Sequence, residues 1–156
     1  NMDLGLTDKV AIVTGGSQGI GKFAAMRMAE EGARVIIVAR TQETLDEAAQ
    51  DIKTSTEGIV LPLAADISDK SSADKIVNAA IENYGRLDIL VNNAGIGIRK
   101  LPQEYSLEEW NKVMDINLTG SFLCAREIYD HMKSRSSGKI INIGSMTSIF
   151  GLDFPG

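Results

Sequence analysis

Thr14-Gly-Gly-Ser-Gln-Gly-Ile-Gly21 decides how the rest of the chain is read. The short apolar run Val10-Ala-Ile-Val-Thr14 leads into it, and Ile20 to Glu31 follows with Ile20, Ala24 and Met28 at a helical period. A glycine-rich turn between a strand and a helix gathers free backbone amides and the positive end of a helix at one point, which suits a pyrophosphate. Glycine lets the backbone approach a ligand with no Cβ in the way. An ordinary tight connection needs one glycine, whereas Gly15, Gly19 and Gly21 stand here together. A rival pattern overlaps the turn. Gly16 to Gly21 followed by Lys22 spells G-x-x-x-x-G-K, but the next residue is Phe23, not the Ser or Thr that holds magnesium in a phosphate loop. The NTPase reading is the weaker one.

Outward from this turn, strand-like and helix-like segments alternate. Gly32 stops the first helix and Ala33 to Ala39 is an apolar strand. Thr41 to about Thr54 follows as a helix, with Thr41 as N-cap and Thr44, Leu45, Ala48, Ala49 and Ile52 inward. Gly58 to Ala65 is a third strand whose Pro62 belongs at a sheet edge, because proline cannot donate to a ladder. Asp69 to Tyr84 returns to helix, Leu87 to Asn92 is a fourth strand, and Ser106 to about Arg135 is a long helix opened by a Ser106/Glu109 capping box. Lys139 to Ile143 is a fifth strand. Continuous apolar strands separated by helices indicate a parallel sheet covered on both faces. The expected fold is α/β: a Rossmann-like doubly wound sheet, order 3-2-1-4-5, which puts Pro62 at the edge. Residues 1–156 read as a single dinucleotide-binding domain.

Composition narrows the function. No apolar run approaches the roughly 18 residues that cross a bilayer, and the start of the chain shows no export pattern. Net charge is −5 and the basic residues are scattered, which argues against nucleic acid as a partner. The lone Cys124 cannot form an internal disulfide, fits a reducing cytoplasm and reads as a buried structural thiol. His131 is the only histidine, so no metal site needing two is expected; near a helix C-terminus it reads as a solvated residue.

The turn is Thr-Gly-x-x-x-Gly-Ile-Gly, and with four further stretches in order the chain resembles the short-chain dehydrogenase/reductase family. These are Asp66-Ile67 after the third strand, Asn92-Asn-Ala-Gly95 after the fourth, Asn117 within the long helix, and Ser145 in Ile141-Asn-Ile-Gly-Ser145. The resemblance implies an NAD(P)-dependent oxidoreductase acting on a small carbonyl or alcohol, and a dimer or tetramer when intact. It assigns Gly15, Ser17, Gln18, Gly19, Ile20, Gly21, Asp66, Ile67, Asn92, Ala94 and Gly95 to the cofactor, with Asp66 at the adenine. It assigns Asn117 to a proton-relay water held by its backbone carbonyl, and Ser145 to the substrate oxygen. Plainer readings stand beside these: Asp66 as a cap for the next helix, Asn92 and Asn93 as turn residues, Asn117 within a packing kink. The second strand ends Val38-Ala39-Arg40, with alanine where an acidic side chain would pair with a ribose 2′-hydroxyl. Arg40 is suited to a 2′-phosphate, so the cofactor expected is NADP over NAD.

The family's Tyr-x-x-x-Lys pair is expected about two positions beyond Gly156. None of Tyr84, Tyr105 and Tyr129 is taken as a substitute. A tyrosine needs a neighbouring cation to act near pH 7, so this chain alone is expected to bind nucleotide without turnover. The fifth strand would form a bare apolar edge, and the long helix's Phe122, Leu123, Ile128 and Met132 would lack a neighbour, so the chain is expected to be a truncated form lacking the family's later strands and helices. A non-catalytic nucleotide-binding module is the alternative.

Overall fold

The computed structural model describes residues 3–146. Five parallel strands lie in the order β3-β2-β1-β4-β5: β1 Val10–Thr14, β2 Arg34–Ala39, β3 Val60–Ala64, β4 Ile89–Asn92 and β5 Lys139–Asn142. The helices are α1 Gly19–Glu30, α2 Gln42–Thr56, α3 Ser72–Tyr84, α4 Leu107–Met114 and α5 Gly120–Ser134. The expected order holds, and Pro62 lies opposite Ile37 on the outermost strand, where proline is tolerated.

Alternation along the strands builds two cores. Val10, Ile12, Ile36, Val38 and Leu90 face α3 and α5, where they meet Ile76, Ala80, Cys124 and Ile128. Ala11, Val13, Val35, Ile37 and Val91 face α1 and α2, where they meet Ala25, Ala29, Leu45, Ala48 and Ile52. Both faces are buried, which is why these strands read as unbroken apolar runs.

The inward face of α1 is displaced by one position along the chain from the expected one. Gly21, Ala25 and Ala29 are buried against the sheet, Ala24 and Met28 are half-buried, and Ile20 is 70% exposed. Small side chains let α1 lie close to the strands, and Ile20 is turned toward the cleft beside the glycine turn. In α2 the inward residues are as expected except Thr44, which is exposed and donates its hydroxyl to the Thr41 carbonyl.

The long helix is two helices joined by a π-helical turn, Asp115–Thr119. Ser106 and Glu109 form the expected capping box. Gly120 has a packing reason: a Cβ there would lie 2.6 Å from both Cγ1 and the carbonyl oxygen of Ile67. Leu123 and Ile128 are buried and Met132 packs against the same core, so among the four expected to lack a neighbour only Phe122 stands bare, at 58% exposed. Strand β5 is open on both faces, with Ile140 and Ile141 each 42% exposed.

His131 is not simply solvated. It is half-buried, and its Nε2 accepts the Leu87 amide at 3.3 Å, tying the end of α5 to the approach to β4. Nearby, the buried Asp88 receives the Val10 amide and both arms of Arg86, with Arg135 at 3.3 Å. Burial works to raise the Asp88 carboxyl, but these bonds and the two guanidinium charges outweigh it and hold it below the usual carboxylate range. Cys124 is fully buried, and burial, with the Glu127 charge adding, pushes its thiol up to about 11.

Candidate nucleotide-binding site

A cleft of about 470 Å³ opens along the carboxyl ends of β1, β2, β3 and β4, the edge at which open parallel sheets bind ligands. The glycine turn forms one side, Arg40 with Asp66 and Ile67 the other, and the tail of β4 the floor.

The turn is held by Thr14. Its hydroxyl donates to the Val91 carbonyl at 3.4 Å and accepts the amides of Asn93 and Ala94, each at 3.0 Å. The Asn93 side-chain amide donates to the carbonyls of Thr14 and Gly15 at 3.0 and 3.3 Å. These bonds lash the turn to the tail of β4 and leave the N-terminus of α1 facing the cleft. Gly15 and Gly19 take positive φ, at 66° and 53°. Gly21 serves by having no Cβ: one there would lie 2.3 Å from the Gly15 carbonyl oxygen, so the close approach of turn and helix exists only with glycine.

Among the residues assigned to the cofactor, Gly15, Ser17, Gln18, Gly19, Ile20, Arg40, Asp66, Ile67, Ala94 and Gly95 all line this cleft. Gly21 stands behind it as support. Asn92 is elsewhere. Side chains alternate along a strand, and the buried Asn92 turns toward β5 and α5, donating to Asn142 Oδ1 at 2.9 Å and to the Ser121 carbonyl at 3.4 Å. Asn93 takes the place beside the cleft. Thr14, Thr41, Thr44 and Asn93 also line it and went unassigned in the sequence. The doubled Asn92-Asn93 was the available signal.

Asp66 does not cap the next helix, which begins at Ser72. It folds onto its own loop: one carboxylate oxygen accepts both the amide and the hydroxyl of Ser68, at 2.9 and 2.7 Å. Those two bonds hold its carboxyl below the usual range, burial opposes them, and the Arg40 charge adds to the lowering.

Asn117 lies in the π turn. Its side chain clasps Ile96 from both sides, accepting the Ile96 amide at 2.8 Å and donating to the Ile96 carbonyl at 2.9 Å. The π turn supplies the expected break in the helix; the Ser121 hydroxyl approaches the Asn117 carbonyl at 3.5 Å. Asn117 lines a second hollow of about 350 Å³, which shares Ala94 with the first. Ser145 is exposed, three residues past β5, and lines neither hollow. The expected position of the Tyr-x-x-x-Lys pair lies outside the described residues.

Two sequence patterns find other uses. Lys22 pairs with Asp51 on α2 at 2.6 Å instead of reaching the cleft, which removes the lysine an NTPase loop needs. One tyrosine does stand four residues before a lysine, Tyr129 before Lys133, a spacing to be set beside the expected catalytic pair. Tyr129 lies on the exposed side of α5 with the Lys133 ammonium over its ring, 5.4 Å from the centroid, and neither lines the cleft. It is no substitute, for reasons of place rather than spacing.

The sheet order, the glycine turn and the lashed β4 tail define a Rossmann-like α/β protein of the doubly wound class. The sequence profile of the short chain dehydrogenase family matches residues 9–154, and this chain belongs to that family. It is 38% identical over 151 residues to an NAD-dependent glycerol dehydrogenase of Listeria innocua, an alignment covering 97% of this chain and 58% of that protein. The crystal structure of L-sorbose reductase from Gluconobacter frateurii, complexed with NADPH and L-sorbose, superposes with a TM-score of 0.93 at 35% identity, covering 98% of this chain and 58% of that one. A metagenomic short-chain oxidoreductase in complex with NADP gives a TM-score of 0.88 at 32% identity, over 94% of this chain and 66% of that one. The chain spans between 55% and 60% of the length of the curated relatives it matches.

Proposed function

We propose that this chain is the nucleotide-binding part of an NADP-dependent oxidoreductase that moves hydride between a nicotinamide and a secondary alcohol or carbonyl. The cleft carries the reading: it runs unbroken from the glycine turn to Arg40 and Asp66. The residues fit a dinucleotide, because the missing Cβ of Gly21 lets α1 close against the turn, where a Cβ would lie 2.3 Å from the Gly15 carbonyl oxygen. The amides of the turn and the N-terminus of α1 would hold the pyrophosphate. Relatives of both cofactor types exist, so the choice rests on this chain's own residues. Ala39 offers no carboxylate to a ribose 2′-hydroxyl, and Arg40 stands exposed at the cleft with no acidic partner within ion-pair distance among the described residues, ready for a 2′-phosphate.

The bound nicotinamide would supply or accept the hydride. The Asn117 carbonyl, in the π turn beside the Ser121 hydroxyl, would hold a relay water, and Ser145 would orient the substrate oxygen. Among the described residues no tyrosine lines the cleft, which favours binding without turnover for these 156 residues taken alone. The apolar residues Leu107, Trp110, Leu118, Phe122 and Tyr129, exposed along α4, the π turn and α5, support self-association of the whole protein.

Titration of the chain into NADPH, followed by nicotinamide fluorescence, tests the reading. Saturable binding is expected, with no consumption of NADPH on adding a panel of ketones, aldehydes and sugars. Absence of binding would overturn it.

A further inference from the structure

Gly120 has no conformational reason to be glycine. Its φ and ψ, −59° and −44°, are those of an ordinary helix, where alanine is the better former. The reason is tertiary: a Cβ there would lie 2.6 Å from the carbonyl oxygen of Ile67, in the loop after β3, and backbone cannot rotate aside as a side chain can. The same residue closes the π turn, because its amide donates to the Asp115 carbonyl. Ile67 lines the cleft, and so does Ile116 from the turn itself. We propose that Gly120 is a positioning residue, through which a nucleotide filling the β3 end of the cleft steadies the π turn and with it the Asn117 carbonyl. The proposal rests on the nucleotide-binding reading above.

A π turn is a place where a long helix can bend, because its hydrogen bonds span one residue more than those of the α-helical turns on either side. This one is gripped by two walls of the cleft. The Asn117 side chain takes both backbone groups of Ile96, and Gly120 rests on Ile67. Ile67, Ile116 and Leu123 are buried in one core cluster, whose close packing passes a displacement on instead of absorbing it. A ligand that holds Ile67 in place therefore restricts Gly120 and the hydrogen bond that closes the turn. Such coupling is reciprocal: whatever displaces Ile67 from the Gly120 side must change the affinity for nucleotide.

Amide hydrogen exchange and NADPH titration on the whole chain test this. Saturating NADPH is expected to slow exchange of the Gly120 amide at least about fivefold, while the amides of His131 to Ser134, in the last turn of α5, change by less than about twofold. Gly120→Ala should weaken NADPH binding about tenfold. Gly58→Ala is the control, because a Cβ there would lie 2.8 Å from the Ala29 Cβ, yet Gly58 lines no part of the cleft. It should lower the urea midpoint as Gly120→Ala does and leave NADPH affinity within about twofold. Equal losses of affinity in the two variants would overturn the inference, as would slowing at Gly120 no greater than at the end of α5. Should Gly120→Ala fail to fold, exchange in the unaltered protein decides alone. Failure of NADPH to bind the unaltered protein would instead remove the nucleotide-binding reading itself.

Discussion

Gly21 stands so close to Asn93 that a Cβ on the glycine would lie 2.4 Å from the asparagine side-chain nitrogen. That nitrogen already bonds the carbonyls of Thr14 and Gly15, so turn, helix and β4 tail meet with no spare volume. Gly21→Ala is expected to cost about 2 kcal/mol or more, since backbone must move, and to abolish nucleotide binding. Gly19→Ala meets open space and pays only for its positive φ, about 1 kcal/mol. Urea unfolding of the two variants measures the difference; equal losses would contradict the packing account.

Arg40 decides between cofactors in this account. Arg40→Ala should weaken NADP binding roughly tenfold to a hundredfold, the worth of a charge-assisted contact, and change NAD binding by less than about twofold. Paired titrations with the two nucleotides check it. A uniform loss would make Arg40 a general support of the site.

Asp88 should make stability depend on acid. Its folded carboxyl lies below the ordinary value, so its contribution is fully present above the unfolded pKa, near 3.9, and is lost as pH falls through that value toward the folded one. Asp88→Asn should cost about 1–2 kcal/mol at pH 7, reduced from a fully buried pair because Arg86 and Arg135 are 37% and 29% exposed. The variant should also show a flatter loss of stability between pH 5 and about 3. Urea midpoints across that range read both effects, and an unchanged acid slope would refute the assignment.

Cys124 should ignore thiol reagents in the folded state. Its thiol is fully buried and pushed up to about 11, so at pH 8 it offers neither access nor thiolate. Labelling with a maleimide is expected only at the rate of unfolding; rapid labelling of native protein would show that α5 opens.

The apolar runs made the sheet legible, because a strand buried on both faces has no polar alternation, and Pro62 fixed which strand lay outermost. The glycine turn was legible for the same kind of reason: a backbone constraint leaves its mark at the residue that bears it. What stayed hidden were choices between adjacent residues. The α1 face fell to Gly21, Ala25 and Ala29 because close approach to the sheet needs small side chains, and an apolar period cannot separate that face from Ile20, Ala24 and Met28. Strand parity sent Asn92 to the α5 side and Asn93 to the cleft, which composition does not encode. The contact of His131 with Leu87 joins residues 44 apart in sequence and leaves no local signal.

Calorimetric titration with NADP, NAD and Mg-ATP in turn tests the central claim, that the cleft is built for a dinucleotide with a 2′-phosphate. The account predicts saturable binding of NADP, binding of NAD at least about tenfold weaker for want of the Arg40 contact, and no magnesium-dependent binding of ATP. Binding of Mg-ATP alone, or no heat from any of the three, would contradict it.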